Sequence, residues 1–352
     1  MAAASPPQRS APTGLTCSVV LCTYNGVRYL DEQIASLVSQ DRPPDEIVIS
    51  DDHSTDGTWE KAQRFEHESE LPVVVRRNPE NVGFVRNFSE AIDLATGRII
   101  FLCDQDDIWL PGKIGAYERA FMENPEVAMV FSDAAIIDES GNQTGQTAWA
   151  SDIVAFTPAE RRAWVSKHGA SVERLIRRNV VTGSAMAFRS RYRPLLLPIP
   201  SWADHGVPHD AWIALLLAAV APTIPLPQVY SLYRLHPDQR LGLNAPEARR
   251  RGQHDLVLSR ARSQLLLSAQ RLELCQDQFD MERDGLTVIQ AKVQHLSERL
   301  RLHGSPLRRF GPVWRELRSG RYAKFSSGYR SAFLDLLPWT RELTAPSQRQ
   351  LH

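Results

Sequence analysis

The chain has 352 residues, 43% of them hydrophobic, which is enough for one large domain with an appendage or for two domains. Its 41 basic and 41 acidic residues balance, and a protein without net charge has no overall field that draws it to nucleic acid. The four cysteines form no Cys-x-x-Cys pair, which argues against a zinc site or a disulfide framework and favours a reducing compartment.

The first 14 residues (MAAASPPQRSAPTG) are rich in Ala, Ser and Pro and contain no hydrophobic run. This composition predicts a disordered tail rather than a signal peptide. The apolar run at residues 211–220 is shorter than the ~20 residues that a membrane-spanning helix needs. We therefore expect a cytoplasmic protein without a membrane span.

The first hundred residues alternate between short apolar runs and segments with helical spacing. Strands are predicted at residues 16–22, 46–50, 73–75 and 98–103, and helices at residues 27–40, 58–69 and 87–95. This β-α-β-α-β-α-β order predicts an α/β fold with a parallel sheet and helices on both faces. Ligands bind beyond the carboxyl ends of the strands in such sheets, and the polar motifs follow those ends.

The pattern becomes mixed after residue 107. Strand candidates occur at residues 127–131, 180–188 and 229–234, and residues 207–220 contain a helix. The composition changes near residue 246. Residues 254–302 predict one long helix or two, and a short basic helical stretch follows.

Three carboxylates stand within four residues directly after the fourth predicted strand, in Asp104-Gln105-Asp106-Asp107. Neighbouring carboxylates repel one another unless a cation or hydrogen-bond donors neutralise them. Mg²⁺ and Mn²⁺ prefer oxygen ligands and are commonly held by one or two carboxylates together with substrate phosphates. The motif therefore predicts a site for a divalent cation, with a solvated helix-capping turn as the alternative.

A second acidic loop, Asp51-Asp52-His53-Ser54-Thr55-Asp56-Gly57, follows the second predicted strand. An Asp at a strand end can accept hydrogen bonds from a base edge or a ribose hydroxyl, and Asp51 is better placed for this than Asp56. Asp56 and Gly57 are expected to cap the following helix.

Four motifs occur in order along this half of the chain: SVVLCTYNG, IVISDDHSTDGT, NPENVGFVRNF and IIFLCDQDDIW. Together they resemble glycosyltransferase family 2, whose nucleotide-binding domain has the GT-A fold. The Asp-Gln-Asp-Asp-x-Trp form is similar to the rhamnosyltransferase-like members in particular. The resemblance implies a GT-A domain with a mostly parallel sheet at residues 15–245 and a C-terminal α-helical extension at residues 246–352.

The resemblance also implies roles for individual residues. The implied nucleotide- and donor-binding residues are Thr23, Tyr24, Asn25, Asp51, Arg86, Asp104 and Gln105. Asp51 would bond the base, Arg86 would reach the phosphates through its planar guanidinium, and Asp104 would contact the ribose. Asp106, together with Asp104 and His236, would hold Mg²⁺ or Mn²⁺. His236, in a Tyr-Arg-x-His segment, has a diphosphate contact or a structural role as alternatives.

The second half resembles the acceptor side of the family. Pro208-His209-Asp210-Ala211-Trp212 stands where relatives have the catalytic base, so Asp210 is implied as the general base that deprotonates the acceptor hydroxyl. The implied sugar or acceptor pocket comprises Asp107, Trp109, Gly183, Ser184, His209 and Trp212. Ser184 stands where many relatives have Cys. Asp107 has an alternative role as the cap of a helix that enters at residues 108–109.

The predicted function is inverting transfer of a sugar, such as L-rhamnose, from a nucleoside diphosphate to a saccharide or lipid-linked acceptor in cell-envelope polysaccharide synthesis. A nucleotidyltransferase is an alternative, but those enzymes usually have a glycine-rich phosphate loop where this chain has Thr-Tyr-Asn-Gly. An inactive scaffold is a second alternative, which the joint presence of Asp104, Asp106 and Asp210 argues against.

Residues 305–330 combine many arginines with the aromatic residues Trp314, Tyr322, Phe325 and Tyr329. A basic, aromatic, amphipathic stretch suits an anionic membrane surface, which would make the protein peripheral on the cytoplasmic membrane face. A solvated tail that packs on the enzyme or on another subunit is the alternative. The preceding helical region could support a homodimer, although its heptads are imperfect.

Overall fold

The computed structural model describes residues 14–167, 169–201, 206–237, 239, 254–279, 283–302 and 305–337. The predicted disordered tail lies outside these ranges except for Gly14, and so do residues 246–253 and 338–352 of the predicted extension. None of the helices within these ranges combines the length and the hydrophobicity that a bilayer crossing requires.

One nine-stranded sheet runs in the order β3-β2-β1-β4-β8-β6-β9-β5, with β7 beside β6. Its strands are β1 (Cys17–Thr23), β2 (Glu46–Asp51), β3 (Val73–Arg77), β4 (Ile99–Asp104), β5 (Ile108–Trp109), β6 (Met129–Ile137), β7 (Gln143–Thr147), β8 (Met186–Arg189) and β9 (Thr223–Arg234). The four N-terminal strands are parallel, as is the long β6–β9 ladder, whereas β5, β7 and β8 pair antiparallel. The predicted α/β fold with a mostly parallel sheet is confirmed.

Thirteen α-helices lie within the described residues. They are α1 (Leu30–Val38), α2 (Thr58–Glu68), α3 (Phe84–Leu94), α4 (Lys113–Glu123), α5 (Pro158–Ser166), α6 (Ala170–Arg177), α7 (Arg193–Leu196), α8 (His209–Val220), α9 (His254–Leu274), α10 (Arg283–Leu300), α11 (Pro306–Arg318), α12 (Arg321–Phe325) and α13 (Tyr329–Leu336). The long region predicted as one helix or two is therefore two helices.

The N-terminal strands are apolar at successive positions because both faces of the sheet are covered. In β4, Phe101 packs in the cluster under α1 and α4, whereas Ile100 and Leu102 pack in the cluster under α3 and α8. Burying a side chain of this kind contributes roughly 1.5–3 kcal/mol, so a continuous apolar run is favoured over strict alternation.

The register of the parallel strands aligns their carboxyl ends at one edge of the sheet. Thr23 at the end of β1 lies beside Asp51 at the end of β2, and Cys22 lies beside Asp104 at the end of β4. The loops that carry the polar motifs therefore start from neighbouring points.

Two local predictions were wrong. Residues 108–109 do not enter a helix but form β5, because Ile108 and Trp109 pair with Leu232 and Ser231 of β9. Asp107 consequently caps no helix there. The predicted strand at residues 180–188 is a strand only from Met186 onward, because a 3₁₀ turn occupies the three residues before it.

The C-terminal helices share the main core. Helix α8 is apolar on all sides and is buried, and it contacts both α9 and α10. Leu265 of α9, Ile289 of α10 and Phe325 of α12 belong to the same apolar cluster as α8. Tyr322 and Phe325, which the sequence placed on a basic aromatic surface, are thus buried.

Candidate active site

A cavity of about 850 Å³ opens at the carboxyl ends of β1 and β4. Its walls come from the loop after β1, the acidic segment after β4, the segment before β8, the start of α8 and the end of β9. Of the residues singled out in the sequence, it is lined by Thr23, Tyr24, Asn25, Asp104, Gln105, Asp106, Gly183, His209, Asp210 and His236. Predicted site residues separated by up to two hundred positions thus meet in one cavity.

Gln105 holds the loop after β1, which forms one wall of the cavity, through two hydrogen bonds. Its side-chain oxygen accepts from the Tyr24 N–H at 2.8 Å, and its Nε2 donates to the Tyr24 carbonyl at 3.0 Å. A Cβ at Gly26 would lie 2.1 Å from the Gln105 Oε1, so only glycine lets this amide lie against the loop. Gln105 therefore shapes the donor loop through backbone contacts, a role that its position between two acids did not indicate.

Asp51, predicted to bond a nucleotide base, does not line the cavity. Its carboxylate is fully buried, where it accepts from the Thr23 hydroxyl at 2.9 Å and from the Ser54 N–H at 2.9 Å. These bonds hold the ends of β1 and β2 together. In this arrangement a base cannot reach the Asp51 oxygens, so the sequence-based contact is corrected to a structural one.

Asp52 reaches the cavity instead, and the sequence analysis missed it. Its oxygens accept from the Asn78 amide at 2.9 Å and from the backbone N–H groups of Val82 and Gly83 at 2.8 and 2.9 Å. The carboxylate thereby closes the loop that leads into α3. Asp52 is the first residue beyond β2, where the chain leaves the sheet, and this position was the available signal.

Arg86, predicted to reach the phosphates, points away from the cavity. Its side chain is 64% exposed and pairs with Glu90 one turn further along α3 at 2.7 Å. Among the described residues that line the cavity, Arg28 is the one side chain with a permanent positive charge. Arg28 forms an ion pair with Glu139 of the β6–β7 turn.

The acidic segment after β4 presents two carboxylates to the cavity. Burial raises the pKa of Asp104 well above its ordinary value, and the charges of the neighbouring acids, including Asp210, add to this effect. Asp106 is hydrogen-bonded through its Oδ2 to the His236 Nε2 at 2.8 Å. The Tyr29 ring packs 5.1 Å from the imidazole of His236 and fixes its position.

Asp107 and Trp109, predicted to line the sugar pocket, lie beneath it. Asp107 is buried and accepts from the Arg234 backbone N–H at 3.0 Å, and burial together with the charge of Asp106 raises its pKa to about 7. Trp109 is a core residue whose ring packs against Phe101 and lies 3.6 Å from the Lys113 ammonium. Both are corrected from pocket residues to supporting ones.

Two buried basic side chains, Arg234 and Lys113, support the site from below, and neither was identified in the sequence. Arg234 donates from its Nε to the Asp106 carbonyl at 2.8 Å and pairs with Glu32. Lys113 donates to the Ser184 carbonyl and, at 2.9 Å, to the Ser231 hydroxyl. Burial lowers the pKa of Lys113 to about 7. The Tyr-Arg-x-His segment could have identified Arg234, whereas the sequence held no signal for Lys113.

The start of α8 brings Asp210 and His209 to the cavity. Burial raises the pKa of Asp210 to about 6, and its Oδ1 accepts from the Ala211 N–H at 2.6 Å. His209 stacks on Phe88 at 4.1 Å, and within the described residues neither of its ring nitrogens has a hydrogen-bond partner. Burial lowers the pKa of His209 to about 3, so its imidazole is neutral.

Of the predicted residues near His209 and Asp210, Gly183 lines the cavity, whereas Ser184 and Trp212 lie behind its wall. A Cβ at Gly183 would lie 2.7 Å from the His209 Nε2, so glycine is required for the imidazole to occupy its place. Ser184 and Trp212, predicted as pocket residues, do not line the cavity. Ser184 is buried, and the Trp212 indole donates to the Leu196 carbonyl at 2.9 Å within the core.

Comparison with known proteins agrees with this geometry. Residues 18–183 match the model of the family described as glycosyl transferase family 2. This segment belongs to glycosyltransferase family 2. The match covers the first two acidic loops and ends at Gly183, on the edge of the cavity.

Several curated glycosyltransferases are similar to part of this chain. The putative teichuronic acid biosynthesis glycosyltransferase TuaG of Bacillus subtilis is 29% identical over 142 residues, which are 40% of this chain and 56% of TuaG. The dTDP-rhamnosyl transferase RfbG of Shigella flexneri is 29% identical over 152 residues, which are 42% of this chain and 45% of RfbG. The chain thus spans about half the length of the curated relatives it matches.

Solved structures share the fold of this chain. S. aureus TarS superimposes with a TM-score of 0.54 at 16% identity, covering 92% of this chain and 54% of TarS. A structure of TarS residues 1–349 in complex with UDP-GlcNAc has a TM-score of 0.51 at 17% identity and covers 90% of each chain. At such identities the likeness establishes the fold alone.

The charge balance of the family-2 cavity is unfavourable for a diphosphate alone. Four carboxylates line it, those of Asp52, Asp104, Asp106 and Asp210, against the single described cation Arg28. Within the described residues no group of three or more His, Cys, Asp or Glu side chains is placed so that it could hold a metal ion. Two adjoining carboxylates without a full protein ligand set fit a cation that takes its remaining ligands from phosphate and water.

Proposed function

We propose that the protein is an inverting glycosyltransferase that moves a sugar from a nucleoside-diphosphate donor to a saccharide or lipid-linked acceptor. The observation that carries this proposal is the meeting of Asp106 and Asp210, from elements a hundred residues apart, in one 850 Å³ cavity. One carboxylate adjoins a second acid and bonds a histidine, and the other is buried at the start of α8. Two acids in such different surroundings suit two different tasks, charge neutralisation and proton transfer.

The acceptor hydroxyl is activated by Asp210. Its carboxylate takes the hydroxyl proton as the acceptor oxygen attacks the anomeric carbon, and the bond to the nucleoside diphosphate breaks on the opposite face. This single displacement inverts the anomeric configuration. The raised pKa of Asp210 makes it a stronger base than an exposed aspartate, and the α8 amides favour its ionised form at neutral pH.

The leaving diphosphate lies at the acidic segment. Asp106 and Asp104, with His236 beside Asp106, would hold Mg²⁺ or Mn²⁺, which supplies charge neutralisation to the departing phosphate. Gln105 keeps the β1 loop in position for the nucleoside, and the buried Arg234 holds the backbone of Asp106 in place. Tyr24 and Asn25 also line the cavity, and we assign them to the base and ribose.

We further propose a role in cell-envelope polysaccharide synthesis, with L-rhamnose as the donor sugar considered first. Support comes from the names of relatives: TuaG is described for teichuronic acid biosynthesis, and RfbG is described as a dTDP-rhamnosyl transferase. TarS was solved with UDP-GlcNAc, so UDP-sugars are to be compared with dTDP-sugars.

The test is a thermal-shift screen of dTDP-rhamnose, UDP-GlcNAc and their free nucleotides, each with Mn²⁺, with Mg²⁺ and with EDTA. A ligand at a hundred times its dissociation constant stabilises the folded state by about 2.7 kcal/mol. In a protein of this size that free energy raises the Tm by roughly 4 °C. We expect a shift with a nucleotide sugar and metal that EDTA abolishes, and no shift with any donor would contradict the proposal.

The rate of transfer is expected to rise with pH through about pH 6 and then to level off. The base must be ionised, and burial raises the pKa of Asp210 to about 6, so the active fraction grows as the pH passes this value. The measurement is kcat between pH 5 and 8 at saturating donor and metal. Donor affinity, measured by calorimetry over the same range, separates this ionisation from those of the metal-binding acids. A kcat independent of pH across this interval would contradict the assignment.

A further inference from the structure

The last three helices, α11 to α13, bury their acidic side chains, and the charged side chains that they expose are all basic. Residues 305–337 contain two acidic residues, Glu316 and Asp335, and both are buried. Glu316 bonds His295 at 2.7 Å and Arg321 at 2.9 Å. Asp335 bonds Arg299 at 2.7 Å. The exposed charges of the segment are all positive, on Arg308, Arg315, Arg318, Lys324 and Arg330.

The same helices expose large apolar side chains. On α11, Leu307 is 88% exposed, Phe310 56% and Trp314 50%, and on α13, Tyr329 is 81% and Phe333 63% exposed. Within the described part of the chain, every aromatic residue with such exposure lies on these two helices. Large exposed apolar groups that cluster in this way mark an interaction surface.

The two properties coincide on one face of α11. Residues 307, 310 and 314 follow the spacing of three and four that places side chains on one side of a helix. Arg315 and Arg318 flank this stripe, whereas Arg309, Val313 and Glu316 on the opposite side are buried against the neighbouring helices. The Phe310 and Trp314 rings stack at 6.0 Å and form a continuous apolar ridge, with the exposed Arg308, Arg315 and Arg318 along one side of it.

From this arrangement we infer that α11 and α13 form a docking surface for an anionic membrane. An apolar ridge bordered by arginines and without exposed carboxylates matches the boundary between acyl chains and anionic headgroups, where Trp and Tyr rings also prefer to lie. A protein partner would match the apolar ridge as well, but the single sign of the five exposed charges in this segment favours an anionic surface. A lipid-linked acceptor, as proposed above, would lie at such a surface.

The test uses the full-length protein and vesicles of phosphatidylcholine with or without phosphatidylglycerol, in a co-sedimentation assay. We expect binding to the anionic vesicles and little binding to the neutral ones. The triple variant R308Q/R315Q/R318Q should bind roughly a hundredfold more weakly, since each basic residue near such a surface contributes about a fivefold effect. The variant F310S/W314S should bind at least roughly tenfold more weakly.

Matched controls remove equivalent groups elsewhere. R64Q/R119Q removes two exposed cations, and V165S removes an exposed apolar side chain, so both should bind like the wild type. Because all the substituted side chains are exposed, an unchanged Tm should accompany each variant. Truncation after residue 300 is a poorer test, since it would leave Arg299 and His295 without their buried partners.

Wild-type sedimentation that does not depend on phosphatidylglycerol, or that the α11 variants leave unchanged, would overturn the inference. So would a dimer in sedimentation velocity that F310S/W314S converts to a monomer, because the ridge would then be covered by a second copy. Vesicle binding involves no sugar transfer, and donor binding involves no vesicles. The membrane inference and the proposed activity therefore fail independently.

Discussion

Replacing Asp210 by asparagine is expected to lower kcat by roughly 10²- to 10⁴-fold, the usual contribution of a general base. The substitution should leave donor binding unchanged. Asparagine has the same shape, and its amide oxygen can still accept from the Ala211 N–H, so the start of α8 is retained. The donor-binding loops follow β1 and β4, on other elements of the cavity. The measurements are steady-state transfer and calorimetric donor affinity in the presence of Mn²⁺.

A suitable control is Asp41→Asn, which neutralises an exposed acid outside the cavity and should change neither quantity. Near-normal turnover in the Asp210 variant would remove this residue as the base. Loss of donor affinity together with turnover would indicate that Asp210 contributes to the donor site rather than to proton transfer.

Replacing Asp106 by asparagine is expected to abolish the dependence of donor binding on metal. Donor affinity in the presence of Mn²⁺ should fall at least roughly tenfold. The amide can keep the hydrogen bond to the His236 Nε2, now 2.8 Å long, so the variant removes the charge and preserves the local geometry. Without that charge a divalent cation loses an anionic ligand, and the diphosphate faces the remaining carboxylates unshielded. Calorimetric titration of the donor with and without Mn²⁺ measures the effect.

The comparison for this variant is Asp31→Asn, which removes a mostly exposed acid that pairs with Lys61 outside the cavity. It should bind donor and metal like the wild type. Unchanged Mn²⁺-dependent affinity in the Asp106 variant would rule out the metal assignment, and His236→Ala would then be needed to identify what the histidine binds.

The prediction for Asp51 shows what a local sequence pattern can determine about a site residue. A carboxylate at the end of a strand was expected to face the ligand, but the pleat directs Asp51 inward, where Thr23 and Ser54 satisfy it. The next residue, Asp52, leaves the strand and reaches the cavity. Which of two adjacent acids faces outward depends on the residue at which the strand ends, and that boundary is the least certain part of a pattern.

Trp109 and Arg86 were misplaced for other reasons, one long-range and one local. Trp109 belongs to a two-residue strand that exists only because β9, more than a hundred residues later, pairs with it. Arg86 lies in a motif next to the site, but its helical position turns it toward Glu90 instead. The pairing of β5 cannot be deduced from the neighbouring residues, whereas the i,i+4 spacing of Arg86 and Glu90 was visible in the sequence.

The sequence alone determined the α/β class, the parallel N-terminal strands and the concentration of acidic motifs at their carboxyl ends. These features follow from local periodicity, which records whether one face or both faces of an element are buried. The tertiary structure decided that Asp210 joins Asp106 in one cavity, that Lys113 and Arg234 support it from below, and that the acids of the last helices are buried while their cations face outward. These are long-range contacts, set by how the helices and strands pack together.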